Sequence, residues 1–138
     1  MSTENKAAVR RFFEEGLIAL DELLDPAFVL HDAPPGLPPG IEGCKVIDVM
    51  FRTAFPDYKH TIHDLIADGD KVVARWTFHG THQGDFQGLP PTGKKVTIPG
   101  ISVFRLENGK IMDDWTISDT YSMMQQLGVI PTPGQVGS

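Results

Sequence analysis

Apolar residues recur at three- and four-residue steps near the start of the chain. Val9, Phe12, Phe13, Leu17 and Leu20 share one face, which predicts an amphipathic helix. Ser2 or Thr3 stands where a cap is wanted. A short second helix, roughly Asp21 to Leu24, must stop near Asp25, because Pro26 disfavours helical geometry in the residue before it. Phe28 to His31 reads as a short strand. Ala33 to Gly40 holds four prolines and two glycines, which cannot sit inside regular structure and predict a stiff loop. Helical spacing returns from Gly43 to Phe55, with Val46, Ile47, Met50, Phe51 and Ala54, and Pro56 ends it.

The remainder alternates. A strand is expected from His60 to Ala67, with Ile62 and His63 on opposite sides. Asp68-Gly69 signals a hairpin into a second strand, Lys71 to His82. There Val72, Ala74, Trp76 and Phe78 take one face, and Val73, Arg75, Thr77, His79 and Thr81 the other. Gln83 to Gly93 is a loop rich in Gly and Pro. A third strand spans Lys95 to Leu106, where Pro99-Gly100 suggests a bulge or bend. Asn108-Gly109 turns it into a fourth, Lys110 to Ser118. Tyr121 to Leu127 reads as a closing helical turn, with Asp119 or Thr120 as cap and Gly128 as stop. Helices first and two hairpins after them argue for an α+β class: N-terminal helices packed on a strongly curved antiparallel sheet, a cone with an apolar interior. The length of 138 residues suits one domain, with a core at about 5–128 and a flexible tail at 129–138.

Composition narrows the function. Hydrophobic residues make up 41% of the chain, enough for a real core, and 12 basic against 18 acidic residues give a net charge of -6. Arg10-Arg11 and Lys94-Lys95 are isolated pairs, so nucleic acid is not expected as a partner, since phosphate neutralisation needs clustered cations. A single cysteine, Cys44, excludes an internal disulfide and fits a reducing, cytoplasmic compartment. It lies in an apolar stretch that reads as a buried small hydrophobe. The opening Met1-Ser-Thr-Glu-Asn-Lys carries no apolar signal region, and no stretch approaches the roughly 18 apolar residues of a membrane span. A soluble protein is expected.

Several segments together resemble the SnoaL-like polyketide cyclases of the nuclear-transport-factor-2-like superfamily. Asn5-Lys6 followed by Val9-Arg-Arg-Phe-Phe-Glu-Glu is similar to their first helix. Gly80-Thr-His-Gln-Gly-Asp-Phe-Gln-Gly-Leu-Pro-Pro-Thr-Gly93 is similar to their central loop. Phe104-Arg105, Gly109-Lys-Ile111, Trp115, Asp119 and Gln126-Leu-Gly128 resemble their last hairpin and closing turn. The resemblance implies a cone dimeric through its sheet, no metal or organic cofactor, and ring closure by intramolecular aldol condensation. It also implies an acidic residue on the last strand as general acid/base. Counting along the last hairpin puts that position near Thr116, with Asp119 three residues later.

Asp119 is accordingly a candidate proton-transfer group at a pocket mouth, or else the cap of the closing helix. His31 beside the proline loop is a candidate proton shuttle, since imidazole titrates near pH ~6.5, or a half-exposed strand-end residue. His82, at the hinge of the second loop, is the histidine expected to line a pocket, rather than His63 or His79. Arg75 either pairs with Asp113 or Asp114 across the sheet or orients a substrate oxygen. Trp76, Trp115 and Phe104 can line a cavity for a flat apolar ligand or belong to the core or a dimer surface. His79-Gly-Thr-His82 puts its two imidazoles on opposite faces of a strand, and no second cysteine or H-E-x-x-H accompanies them, so no metal is expected. No phosphate loop, G-x-G-x-x-G or G-x-S-x-G is present. The expectation is a cofactor-independent lyase or isomerase acting on a small apolar carbonyl compound. A non-catalytic binding protein, a dimeric interaction module and an epoxide hydrolase using Arg75, Asp114 and Asp119 are the alternatives.

Overall fold

A computed structural model describes residues 2–130. The tail expected from Pro131 onward lies outside the described residues. Helix α1 spans Ser2–Glu15 and stops earlier than the apolar spacing predicts. Gly16 adopts φ +59°, and a 3-10 turn, Gly16–Ala19, follows before the short helix α2, Leu20–Leu23. A side chain at Gly16 would run into Arg52, Asp48 and Tyr58. The break therefore makes room for a polar cluster and is not a mere interruption.

Strand β1, Leu24–Leu30, starts four residues before the expected Phe28 and runs through Pro26. This is possible because β1 is an edge strand, where a missing N–H breaks no ladder bond on its open side. Helix α3 spans Ile41–Ala54. The long strands are β2 (Lys59–Asp68), β3 (Lys71–Thr81), β4 (Lys95–Glu107) and β5 (Lys110–Ser118), and α4 covers Thr120–Leu127. The sheet order is β1-β5-β4-β3-β2, antiparallel except for the β1–β5 pair. Both hairpin turns have the geometry their residues predict. Gly69 takes φ +60° as the first central residue of the β2–β3 turn, and Asn108 and Gly109 both take positive φ between β4 and β5.

Val72, Ala74, Trp76 and Phe78 of β3 are all buried, facing the helices as the alternation predicts. Val96, Ile98, Phe104 and Leu106 of β4 join them. The bulge expected at Pro99-Gly100 is absent: pairing with β3 runs unbroken from Arg105 to Lys95. Gly100 serves packing instead, since a Cβ there would lie 2.3 Å from the Trp76 indole. The bulges occur elsewhere. At His63 of β2 the register with β3 slips by one, so Leu65 and Ala67 face inward after it. At Met112 of β5 the register with β4 slips likewise, from Leu106↔Ile111 to Arg105↔Asp113.

A one-residue slip exchanges the faces of every residue beyond it. Counted by twos from buried Ile111, Asp113 and Trp115 should point inward. The bulge turns Asp114 and Thr116 inward instead, and Asp114 is only 4% exposed.

The inner face of the sheet is covered by α1 against β2 and β3, by α3 against β1 and by α4 against β4. No helix among the described residues is long and apolar enough to cross a membrane.

Candidate functional site

Between the sheet and the helices lies a cavity of about 530 Å³. Its walls are mostly apolar: Phe12, Phe13, Phe51, Phe78, Phe86, Ile98 and Met123 contribute from five elements and the second loop. Two hydrogen-bonded polar clusters stand on its walls.

The first lies on β3, β4 and β5. Trp76 Nε1 donates to Ser102 Oγ at 3.0 Å. Ser102 and Thr116 share a hydrogen bond of 2.7 Å, and Thr116 Oγ1 donates to Asp114 Oδ1 at 2.5 Å. Because the single Thr116 proton goes to Asp114, Ser102 must donate to Thr116. All donors in this chain therefore point towards the carboxylate. Burial pushes the Asp114 carboxyl up to about 6, with the Thr116 hydrogen bond and a nearby His31 pulling the other way.

The second is at the β2 end. Tyr58 donates to Asp48 Oδ1 at 3.1 Å, and Arg52 Nε donates to Asp48 Oδ2 at 2.6 Å. Burial and the Asp48 charge push the Tyr58 hydroxyl up to about 12. Beside it stands His60, packed edge-on against Trp76 with ring centroids 5.1 Å apart. Burial pushes the His60 imidazole down to about 4, so it is neutral at physiological pH. Cys44 lines the same cavity, but burial raises its thiol to about 12, leaving it a small hydrophobe and not a nucleophile.

The residues singled out by sequence fall in different places. Trp76 and Thr116 line the cavity, and Trp76 is also part of the buried core. His31 borders it, but its ring lies on the outer face, stacked on Trp115 at 4.5 Å with Nε2 2.8 Å from Asp113 Oδ1. Trp115 is thus beside the sheet and not in the cavity, a consequence of the Met112 bulge. Asp119 is exposed and caps α4, accepting from the Ser122 N–H at 2.9 Å. It does not line the cavity and borders a separate open groove with Arg75. Arg75 pairs with Asp64 on β2 at 2.6 Å, not with Asp113 or Asp114. The Asp114 carboxylate lies on the opposite face of the sheet, and Asp113 is taken by Arg105 at 2.7 Å. Phe104 is fully buried against Phe12 and Phe13 and belongs to the core. His82 is fully buried next to Phe55, held by Thr92 at 3.0 Å, and does not reach the cavity.

The Asp-Arg-Asp set that an epoxide hydrolase reading needs is therefore not assembled. No group of three or more His, Cys, Asp or Glu among the described residues is placed to hold a metal ion.

Sequence reasoning passed over Ser102, His60, Tyr58 and Asp48, and it considered Asp114 only as a partner of Arg75 or as part of an epoxide hydrolase set, not as a cavity carboxylate. His60 had a usable signal, since it shares an alternation phase with apolar Ile62. Asp114 had none, because the bulge that buries it carries no glycine or proline.

The cone with helices on a bent sheet, closed over an apolar cavity, has counterparts among known proteins. The family model of SnoaL-like polyketide cyclases matches residues 6–127. The chain belongs to the SnoaL-like polyketide cyclase family. The aklanonic acid methyl ester cyclase DnrD of Streptomyces peucetius is 30% identical over 114 residues, covering 81% of this chain and 77% of its own length. Among solved structures, TsrD from Streptomyces laurentii superposes with a TM-score of 0.78 at 30% identity, over 90% of this chain and 97% of that one. IdmH from Streptomyces antibioticus gives 0.76 at 34% identity, over 93% and 99%. Family membership sharpens one difference. The acid position that the resemblance places near Thr116 holds a hydroxyl in this SnoaL-like protein, and that hydroxyl donates to a carboxylate two residues earlier.

Proposed function

We propose that this SnoaL-like protein is a cofactor-independent lyase or isomerase with aldol-type cyclase chemistry, acting on a small apolar carbonyl compound, and that Asp114 is its general acid/base. One observation carries the reading. A carboxylate 4% exposed stands on the wall of an apolar cavity, at the end of a hydrogen-bonded chain that terminates on one of its two oxygens.

The chemistry follows from that placement. Ionised Asp114 removes a proton α to the substrate carbonyl, and an enolate forms. The enolate carbon attacks a second carbonyl of the same molecule, closing the ring, and the new alkoxide takes a proton back. Apolar walls exclude water and fold the substrate on itself. A base with a pKa near the working pH serves both proton transfers, and a carboxyl raised to about 6 is closer to that condition than an ordinary one. The relay through Trp76, Ser102 and Thr116 fixes the carboxylate rotamer and keeps its charged form accessible.

A homodimer through the outer face of the sheet belongs to the same proposal; exposed Ile66 and Ile101 on that face support it, and light scattering at micromolar concentration tests it.

The experiment uses 2-tetralone, a flat apolar ketone with an activated α C–H. In deuterium oxide the protein is expected to exchange the α protons well above the buffer rate, followed by NMR. Asp114→Asn should lower the rate by about 10² to 10⁴. Exchange no faster than buffer, or an unchanged rate in Asp114→Asn, sinks the assignment.

A further inference from the structure

An enolate needs a second polar group to hold its oxygen, and the cavity offers few. Trp76 Nε1 is used on Ser102, Ser102 on Thr116, and Thr116 on Asp114. The Tyr58 hydroxyl is used on Asp48. Cys44 is a weak donor. Ser118, Thr120 and Gln87 are exposed, Gln87 donating to Met50 Sδ, and His31 Nε2 is used on Asp113. His60 differs from all of these. It lines the cavity, its ring is enclosed by Phe13, Tyr58, Trp76 and Phe78, and neither of its nitrogens bonds to another described residue.

The two nitrogens are not equivalent. Nδ1 is fully buried without a partner. An orphaned N–H is rarer and costlier than an orphaned lone pair. The ring is neutral and has one proton to place. On Nδ1 it would be stranded; on Nε2 it is a donor for whatever occupies the cavity. Trp76 touches both His60 and the Asp114 relay, so a flat molecule lying over the indole meets the base and this donor together.

We propose that His60 is a second catalytic residue, a neutral electrophile whose Nε2–H donates to the substrate carbonyl and holds the enolate oxygen while Asp114 moves the proton. This rests on the reading of the cavity given above and names the oxygen-binding group that reading requires. An uncharged donor suits the site. An imidazolium would carry a charge that the enclosing aromatic rings would have to desolvate. The substrate class narrows accordingly to planar ketones, with the reacting C–H and the carbonyl oxygen presented to opposite ends of the Trp76 indole.

Infrared spectroscopy of bound 2-tetralone tests this directly, because a hydrogen bond lowers the carbonyl stretching frequency whatever the rate of exchange. In the wild-type protein the stretch should lie below its position in hexane. His60→Phe keeps an aromatic ring and removes the donor. Its stretch should return to the hexane position, its affinity should fall about 5- to 10-fold as for one net hydrogen bond, and its exchange rate by about 10². His60→Gln restores a side-chain N–H and should recover part of the shift, which a purely structural role for the ring would not produce. Tyr58→Phe should leave the stretch unmoved. Asp114→Asn should retain the shift while losing exchange, so the two assignments fail separately. A wild-type stretch at the hexane position, an unchanged stretch in His60→Phe, or no binding of 2-tetralone overturns the assignment of His60.

Discussion

Asp113 and Asp114 are neighbours in sequence and opposites in chemistry. Asp113 lies on the outer face of the sheet. Its partial burial opposes ionisation, but hydrogen bonds from His31 and Arg105 outweigh that and hold its carboxyl below the usual range. Asp114 lies on the inner face, where burial dominates and a single hydroxyl is its side-chain partner, and its carboxyl rises to about 6. One peptide unit separates a carboxylate held ionised by its partners from the buried carboxyl proposed as the base. The difference comes from the face each residue occupies, and the Met112 bulge decides the face.

The largest effect expected from this contrast is on turnover. Asp114→Asn should lower α-proton exchange by about 10² to 10⁴, whereas Asp113→Asn should leave it within a few-fold, as NMR exchange rates on 2-tetralone will show.

The second effect is on stability, and it runs the other way. A carboxyl whose folded pKa exceeds its unfolded value binds its proton more tightly when folded. Its cost to the fold is therefore absent below the unfolded pKa of 3.8 and complete above about 6. The two-unit difference corresponds to roughly 3 kcal/mol as an order of magnitude. Asp114→Asn should thus raise the melting temperature at pH 8 and change it little at pH 4. Asp113→Asn should lower the stability by about 1 kcal/mol at pH 8, and the melting temperature with it, losing the charge that His31 and Arg105 address. A melting series over pH distinguishes the two.

A smaller effect concerns the relay. Exchange by the wild-type protein should rise with pH and level off above an inflection near 6, as Asp114 ionises. Thr116→Val removes the hydroxyl that favours the ionised form, so its inflection should move to higher pH while the plateau is kept. An inflection that stays in place would show that the relay does not tune the base.

The smallest effects belong to Asp119. Asp119→Ala should cost about 1 kcal/mol through the lost cap on α4, and Asp119→Asn less, with exchange unaltered in both. A loss of exchange in Asp119→Asn would return the chemistry to the position that the sequence pointed to.

The fold was largely legible because its signals are local. Asp68-Gly69 and Asn108-Gly109 demand turns, and the apolar run from Val72 to Phe78 demands one buried face. The site was less legible because its signals are not local. Asp114 becomes a cavity residue through the slip at Met112, which no turn residue announces, and the same slip carries Trp115 out to His31. His31 and Asp119 drew attention as polar residues at element ends, and at element ends they found partners outside the cavity. Gly16 looked like one residue in a helix until Arg52, Asp48 and Tyr58 filled the space it leaves open.

Of the two neighbouring carboxylates, the inner one is proposed to transfer the proton. Carbon-13 NMR of protein labelled at the aspartate carboxyls, titrated from pH 2 to 9, tests this without any substrate, with Asp114→Asn and Asp113→Asn assigning the two resonances. The resonance missing from Asp114→Asn should titrate near 6 and the one missing from Asp113→Asn below 3.8. An Asp114 carboxyl titrating at or below the ordinary carboxylate range would contradict that proposal.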